Sequence, residues 1–267
     1  MSALFSDFFV LLVEPSAVQA RIIREQLAGL GVTRVEVVDG GEAALAHMRD
    51  RPPSLTLSAF YLPDMTGVGL IEAMRADPAL ADLPFVLVSS ETRPQILDPV
   101  RQSGACALLP KPFSPTQLSA ALRSAADLID PRAMLNVGAD LERLRVLIVD
   151  DSTNARRFIR HVLGNLGIEN FIEAASGAEA VAILAETMVD LVVTDYHMPE
   201  MDGRALVEHI RQQSWQSSVP ILMVTSESNE SRLAAVEQAG VSAICDKPFD
   251  SQTVKRLVEQ AMAGNDS

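Results

Sequence analysis

Leu191-Val-Val-Thr-Asp-Tyr-His-Met-Pro-Glu-Met-Asp-Gly203 is a short apolar run that ends on a carboxylate and then turns through Pro199 and Gly203. Val192, Val193 and Thr194 favour a strand. The run is apolar on both sides of the pleat, as in a parallel strand buried between two helical layers. Asp195 then falls at the strand's carboxyl end, the edge of an open α/β sheet where ligands bind. Taken alone, such an aspartate reads sooner as a loop carboxylate capping the next helix.

Three other stretches repeat the pattern. Val146-Leu-Ile-Val-Asp-Asp151 is an apolar strand ending in two adjacent acids. Ile221-Leu-Met-Val-Thr-Ser226 ends in hydroxyls, and Ala243-Ile-Cys-Asp-Lys-Pro248 ends in Lys247 before a proline. A parallel sheet gathers the carboxyl ends of its strands on one edge, so an acid pair, Asp195, Thr225 and Lys247 would converge there.

This constellation resembles the receiver domain of two-component response regulators. The match rests on Asp150, Asp151, Asp195, Thr225 and Lys247, with the turn Lys247-Pro248-Phe249 and the loop Met198–Gly203. It covers residues 143 to 265 and implies a flavodoxin-like (βα)5 fold with strand order 2-1-3-4-5.

The first half of the chain repeats the second. Val10-Leu-Leu-Val-Glu14 answers Val146–Asp150, and Leu55-Thr-Leu-Ser-Ala59 answers Leu191–Asp195. The pairs Glu14/Asp150, Ala59/Asp195, Pro84/Pro220 and Lys111/Lys247 are all 136 residues apart, so no net insertion separates them. The chain is therefore a tandem duplication of one doubly wound α/β fold. Strands are expected near 9–13, 34–38, 55–58, 85–88 and 106–109, and again near 145–149, 170–174, 190–194, 220–224 and 243–245. Helices are expected near 17–29, 42–50, 68–76, 94–103 and 115–129, then 153–165, 177–187, 204–213, 230–239 and 251–263. Ser152, Ser176 and Asp250 are candidate N-caps. The expected domains are 1–130 and 144–267. The connector 131–143 carries Met134, Leu135 and Val137 and reads as packed on at least one unit, with a mobile tether as the alternative.

The chain has 267 residues and a formal net charge of −13, which disfavours a nucleic-acid partner because no basic face offsets phosphate repulsion. Cys106 and Cys245 lie in or beside apolar strands and read as buried thiols of a reducing compartment. No window reaches the ~18 uncharged apolar residues of a spanning helix. The N-terminal apolar stretch lacks a basic leader and carries Asp7, which makes it a poor signal peptide. A cytoplasmic protein with no membrane contact is expected.

Three carboxylates this close resist joint ionisation unless a cation neutralises them, and Mg²⁺ suits such a donor set. The resemblance implies that Asp151 and Asp195 bind the metal directly, that Asp150 acts mainly through water, and that the His197 carbonyl adds a ligand. It implies phosphorylation of Asp195, with Lys247 and Thr225 on the phosphoryl oxygens and slow self-hydrolysis. His197 and Glu227 flank the site and would tune water access, although His197 reads equally as an ordinary exposed loop residue. Where many receivers carry an aromatic on the last strand, this chain has Ile244, which can pack in or out but has no hydroxyl.

The first unit has Ala59 in the acceptor position and Pro15 in place of the second acid, leaving Glu14, Ser89 and Lys111. It reads as a pseudo-receiver, either structural or a docking or homodimerising module, with Phe60 and Tyr61 beside the dead site. An otherwise uncompensated Lys111 is expected to pair with Glu14. The whole reads as a response regulator without DNA-binding or enzymatic output. Its phosphoryl group would come from a sensor histidine kinase or phosphotransfer protein, and its output would be a contact with a downstream protein. A phosphate sink or relay intermediate is a related alternative. So is a piece of a longer chain whose output domain has been removed. A Mg²⁺-dependent phosphohydrolase with an Asp nucleophile is the alternative from another class. Such enzymes place a second Asp where this chain has His197.

Overall fold

The computed structural model describes residues 5, 7–91, 93, 96, 99, 100, 102–129, 141–226, 230–247, 254–256 and 258. The chain divides into two compact units, Met1–Ile129 and Asp130–Ser267. Most of the connector, Glu227, Pro248, Phe249 and Asp250 lie outside the described residues, as do parts of the helices expected at 94–103 and 251–263.

In the first unit the strands are β1 (Phe9–Val13), β2 (Arg34–Val38), β3 (Leu55–Ala59), β4 (Phe85–Ser89) and β5 (Ala107–Pro110). Helices α1 (Ala17–Gly29), α2 (Gly41–Asp50), α3 (Gly67–Ala76) and α4 (Pro115–Ile129) alternate with them. The second unit has β6 (Arg145–Val149), β7 (Asn170–Ala174), β8 (Leu191–Asp195), β9 (Ile221–Thr225) and β10 (Ala243–Asp246). Its helices are α5 (Thr153–Asn165), α6 (Gly177–Glu186), α7 (Gly203–Gln213) and α8 (Glu230–Ala239). The sheets run β2-β1-β3-β4-β5 and β7-β6-β8-β9-β10, all parallel, which is the expected 2-1-3-4-5 order in both units.

The three inner strands of each sheet are buried along nearly their whole length, because helices cover both faces. The helix starts follow local chemistry. The Ser152 and Ser176 hydroxyls accept the amides of Ala155 and Glu179, as expected for N-caps, and Asp202 caps α7 through the amide of Ala205.

One core feature is not signalled by polarity patterns. Arg75 in α3 is 9% exposed, and its guanidinium donates to the carbonyls of Ser103 (3.2 Å), Ala81 (2.9 Å), Leu83 (3.0 Å) and Gly104 (2.9 Å). Its counterpart Arg211 donates to Gly240 (2.9 Å), Ser217 (2.8 Å) and Val219 (2.8 Å). Five N–H donors in a fixed fork can serve several loop carbonyls at once, which a lysine ammonium cannot. Arg75→Met should therefore destabilise the first unit by about 3 kcal/mol, because buried carbonyls lose their donors. The check is a urea titration. The circular dichroism midpoint should fall, while the fluorescence midpoint of Trp215, the chain's only tryptophan and in the second unit, stays put. An unchanged dichroism midpoint would show that the clasp is dispensable.

Candidate functional site

Strand register brings the sequence-distant residues together. Val149 is opposite Thr194, Asp195 opposite Val224, and Asp246 opposite Thr225. Pairing continues one residue past two strands: the Asp150 amide reaches the Ala174 carbonyl (3.2 Å) and the Lys247 amide the Thr225 carbonyl (2.7 Å). Asp150, Asp195, Thr225 and Lys247 thus share the carboxyl edge of one sheet. A Cβ on Gly203 would lie 2.2 Å from the Asp195 carbonyl, so glycine lets α7 start directly against the backbone of Asp195. The buried side chains of Tyr196 and Met198 anchor the intervening loop.

Oxygen atoms of Asp150, Asp151 and Asp195 all lie within 4.8 Å of one another. Asp150 and Asp195 are inaccessible to solvent, whereas Asp151 is exposed at the mouth. The buried Lys247 Nζ sits 2.7 Å from Asp150 Oδ2 and 3.1 Å from Asp195 Oδ1. The Asp195 contact is an ion pair by distance but lacks hydrogen-bond alignment, so Oδ1 is buried without accepting a hydrogen bond. Asp195 Oδ2 accepts the His197 amide (3.1 Å), and Asp150 Oδ1 accepts the Ser152 amide (2.8 Å).

Burial pushes the Asp150 carboxyl above the ordinary carboxylate range. Lys247 opposes that shift, and the charge of Asp195 adds to it. Removal from water, rather than the like-charge repulsion expected from the sequence, is the larger cause.

The donor set fits a hard cation. Three carboxylates converge, and one buried oxygen of Asp195 accepts no hydrogen bond, which leaves its lone pairs available to a cation.

Arg156 is a site residue that the sequence does not announce. Its Nη1 donates to the Asp150 carbonyl (2.7 Å) and its Nε to Glu173 (3.2 Å), which holds the acid pair's backbone against α5. Its counterpart 136 residues earlier is Ala20, so the duplication carries no signal for it.

Thr225 is fully buried at the end of β9, and Ile244 is half-buried against the second unit's core. His197 lines the cleft above the carboxylates.

The corresponding edge of the first unit is different. Glu14 Oε2 accepts from Lys111 Nζ (2.8 Å), as expected, and Oε1 accepts the Ser16 amide (3.0 Å). These are the same two contacts that Asp150 makes with Lys247 and Ser152. Ala59 is buried and Pro15 exposed, and the Ser89 hydroxyl accepts the Glu91 amide (2.9 Å). The Lys111 side chain is 24% exposed where Lys247 is 3%, so the first unit's pair is screened and the second unit's is not. Among the described residues, the acid cluster able to hold a metal is in the second unit. No apolar patch on the first unit is legible in the sequence, yet Val18, Ile22, Val37 and Tyr61 are exposed there, with Tyr61 edge-on to the buried Phe60.

Two stretches, residues 10–123 and 146–259, match the family model of the response regulator receiver domain. The chemotaxis protein CheY1 of Helicobacter pylori is 37% identical over 124 residues, which is 46% of this chain and 100% of that protein. The chemotaxis protein CheY-3 of Vibrio cholerae is 35% identical over 119 residues, 45% of this chain and 92% of that one. Among solved structures, the chemotaxis response regulator CheY4 of Vibrio cholerae is 31% identical. That match covers 44% of this chain and 98% of that chain, with a TM-score of 0.41. None of the described helices is long and apolar enough to cross a membrane. Matched by the family model in both halves, the chain belongs to the response regulator receiver domain family, as a tandem pair.

Proposed function

We propose that this protein is a two-component response regulator phosphorylated on Asp195 alone, and that its first unit is a pseudo-receiver. Receiver domains accept phosphoryl groups and generally bind Mg²⁺. The observation that carries the reading is the contrast between the two edges: three converging carboxylates with Lys247 between two of them, against Glu14, Pro15 and Ala59. We take the domains as 1–130 and 144–267, joined by 131–143.

The Asp195 carboxylate attacks phosphorus, and the new O–P bond forms as the donor's P–N or P–O bond breaks. The leaving group keeps the bonding pair; a phosphohistidine protonated on its other nitrogen leaves as neutral imidazole. Phosphoryl transfer of this kind needs positioning and charge stabilisation more than covalent help. Lys247, already between Asp150 and Asp195, turns its ammonium to a phosphoryl oxygen, and Thr225 donates its hydroxyl to another. Asp151, Asp195 and the His197 carbonyl would hold Mg²⁺, with Asp150 acting through water. When bound, the ion offsets carboxylate charge and draws charge from a phosphoryl oxygen. His197 and Glu227 would tune the access of hydrolytic water.

Inward movement of Thr225 leaves room that half-buried Ile244 fills, which couples the pocket to the surface. The output is then contact with a downstream protein, and the chain's −13 charge makes nucleic acid an unsuitable target. The donor is a sensor histidine kinase or a phosphotransfer protein, in the cytoplasm. Burial pushes the Cys106 thiol up to about 11, which suits an inert cysteine of a reducing compartment.

With acetyl phosphate and Mg²⁺, intact-mass spectrometry should find one phosphoryl adduct per chain, absent in Asp195→Asn. An adduct that survives that substitution would overturn the assignment.

A further inference from the structure

The cleft over the second unit's carboxylates has a volume of about 550 Å³, and its walls include Asp151, His197, Pro199, Asp202 and Arg232. Its charge is lopsided. Asp151 and Asp202 stand at the wall, Asp150 and Asp195 lie buried below, and Lys247 is the buried cation between the last two. Asp202 is committed as the N-cap of α7, where its Oδ1 accepts the Ala205 amide at 2.8 Å. A phosphoryl dianion entering this cleft meets several carboxylates before it reaches Lys247.

Arg232 lies in the first turn of α8 and places a cation on the cleft wall. The residue 136 positions earlier is Ile96, packed half-buried against the first unit's core. Gly104 and Gly240, both at positive φ (76° and 98°), confirm that the 136-residue register holds across this region. The cation therefore accompanies the complete carboxylate set and is replaced by an apolar residue where that set is broken.

We propose that Arg232 is a positioning residue that captures the phosphoryl dianion of the incoming donor and presents it to Asp195. The inference rests on Asp195 being the acceptor. A guanidinium suits this role because it stays charged, and its planar fork can hold two phosphoryl oxygens at once, fixing orientation as well as supplying charge. On the exposed wall it also raises the local concentration of anionic donors, an effect that salt weakens. The chemistry read is the phosphoryl group, which small phosphodonors share with protein-borne phosphohistidine.

The experiment is the rate of Asp195 labelling, followed by intact mass, with acetyl phosphate (a P–O bond) and phosphoramidate (a P–N bond). It compares wild type, Arg232→Gln and Arg232→Lys at low and high salt. Arg232→Gln should raise the half-saturating donor concentration about tenfold with both donors, more than it lowers the maximal rate, and high salt should narrow the gap. Arg232→Lys should recover the salt-dependent part only. Independently of turnover, the stable analogue acetylphosphonate, titrated against the His197 amide resonance, should bind Arg232→Gln about tenfold more weakly. An unchanged half-saturation in Arg232→Gln, or an effect confined to acetyl phosphate, would overturn the role of Arg232. Absence of any adduct in wild type would instead sink the reading of Asp195 as acceptor.

Discussion

Lys247→Met is expected to cost the second unit about 3 kcal/mol at pH 8, the order found when one partner of a buried ion pair is removed. Less should be lost at pH 5. The ammonium of Lys247 lies between two inaccessible carboxylates, Asp150 at 2.7 Å and Asp195 at 3.1 Å. Methionine fills similar space but leaves both acids uncompensated. Asp150 sets the sign of the pH effect. Its folded pKa is raised by burial, and Lys247 is the main influence holding it down. A raised carboxyl binds more protons in the folded state than in the unfolded one. Stability is therefore highest below the ordinary value of ~3.9 and falls as pH rises toward the folded value. Without Lys247 the folded value climbs further, the window extends upward, and the deficit grows from pH 5 to pH 8. Mg²⁺ should return part of the loss, because a cation that binds only the folded carboxylates stabilises the fold by mass action. Trp215, the only tryptophan, reports on the second unit, so urea titrations by fluorescence at the two pH values read the effect directly. A deficit that does not change with pH would mean that Asp150 is not the group left uncompensated.

How far the site could be read from the chain follows from what each residue depends on. Asp150, Asp195, Thr225 and Lys247 are fixed by strand ends, and strand ends are visible as short apolar runs closed by a polar residue. The duplication made the fold legible twice: the constant separation fixed the strand register of a half whose own site is broken. Arg75 and Arg211 were hidden for a different reason. A charged residue inside an amphipathic helix is normally solvated, and only the tertiary approach of loop carbonyls from residues 81–83 and 103–104 makes burial favourable. Their recurrence at the same position in both halves was the available signal. Arg156 and Arg232 had no such signal, since their counterparts are Ala20 and Ile96. Each faces the site only because of where its helix packs.

Restoring the first unit requires the metal's ligands as well as the nucleophile. In an Asp195→Asn background, Ala59→Asp alone should give no adduct, whereas Glu14→Asp, Pro15→Asp and Ala59→Asp together should label at a rate roughly 10²-fold above the detection limit, the scale of one well-placed electrostatic contribution. The existing contacts explain why one change is insufficient. Both oxygens of Glu14 are already engaged, by Lys111 at 2.8 Å and the Ser16 amide at 3.0 Å. A new carboxylate at the buried position 59 would face that carboxylate with no second acid at 15 to complete a metal site. Like charges this close raise one another's pKa, which disfavours the ionised, nucleophilic form of the introduced carboxylate. The shorter Asp at 14 withdraws from the space beside Ala59, and an Asp at the exposed position 15 adds a ligand open to solvent. Lys111 and Ser89 already stand where Lys247 and Thr225 stand in the second unit. Labelling of Ala59→Asp alone at the rate of the triple variant would show that metal ligation never limited this unit. A folded triple variant that stays unlabelled would locate its defect in backbone geometry around Pro15 rather than in the missing acids.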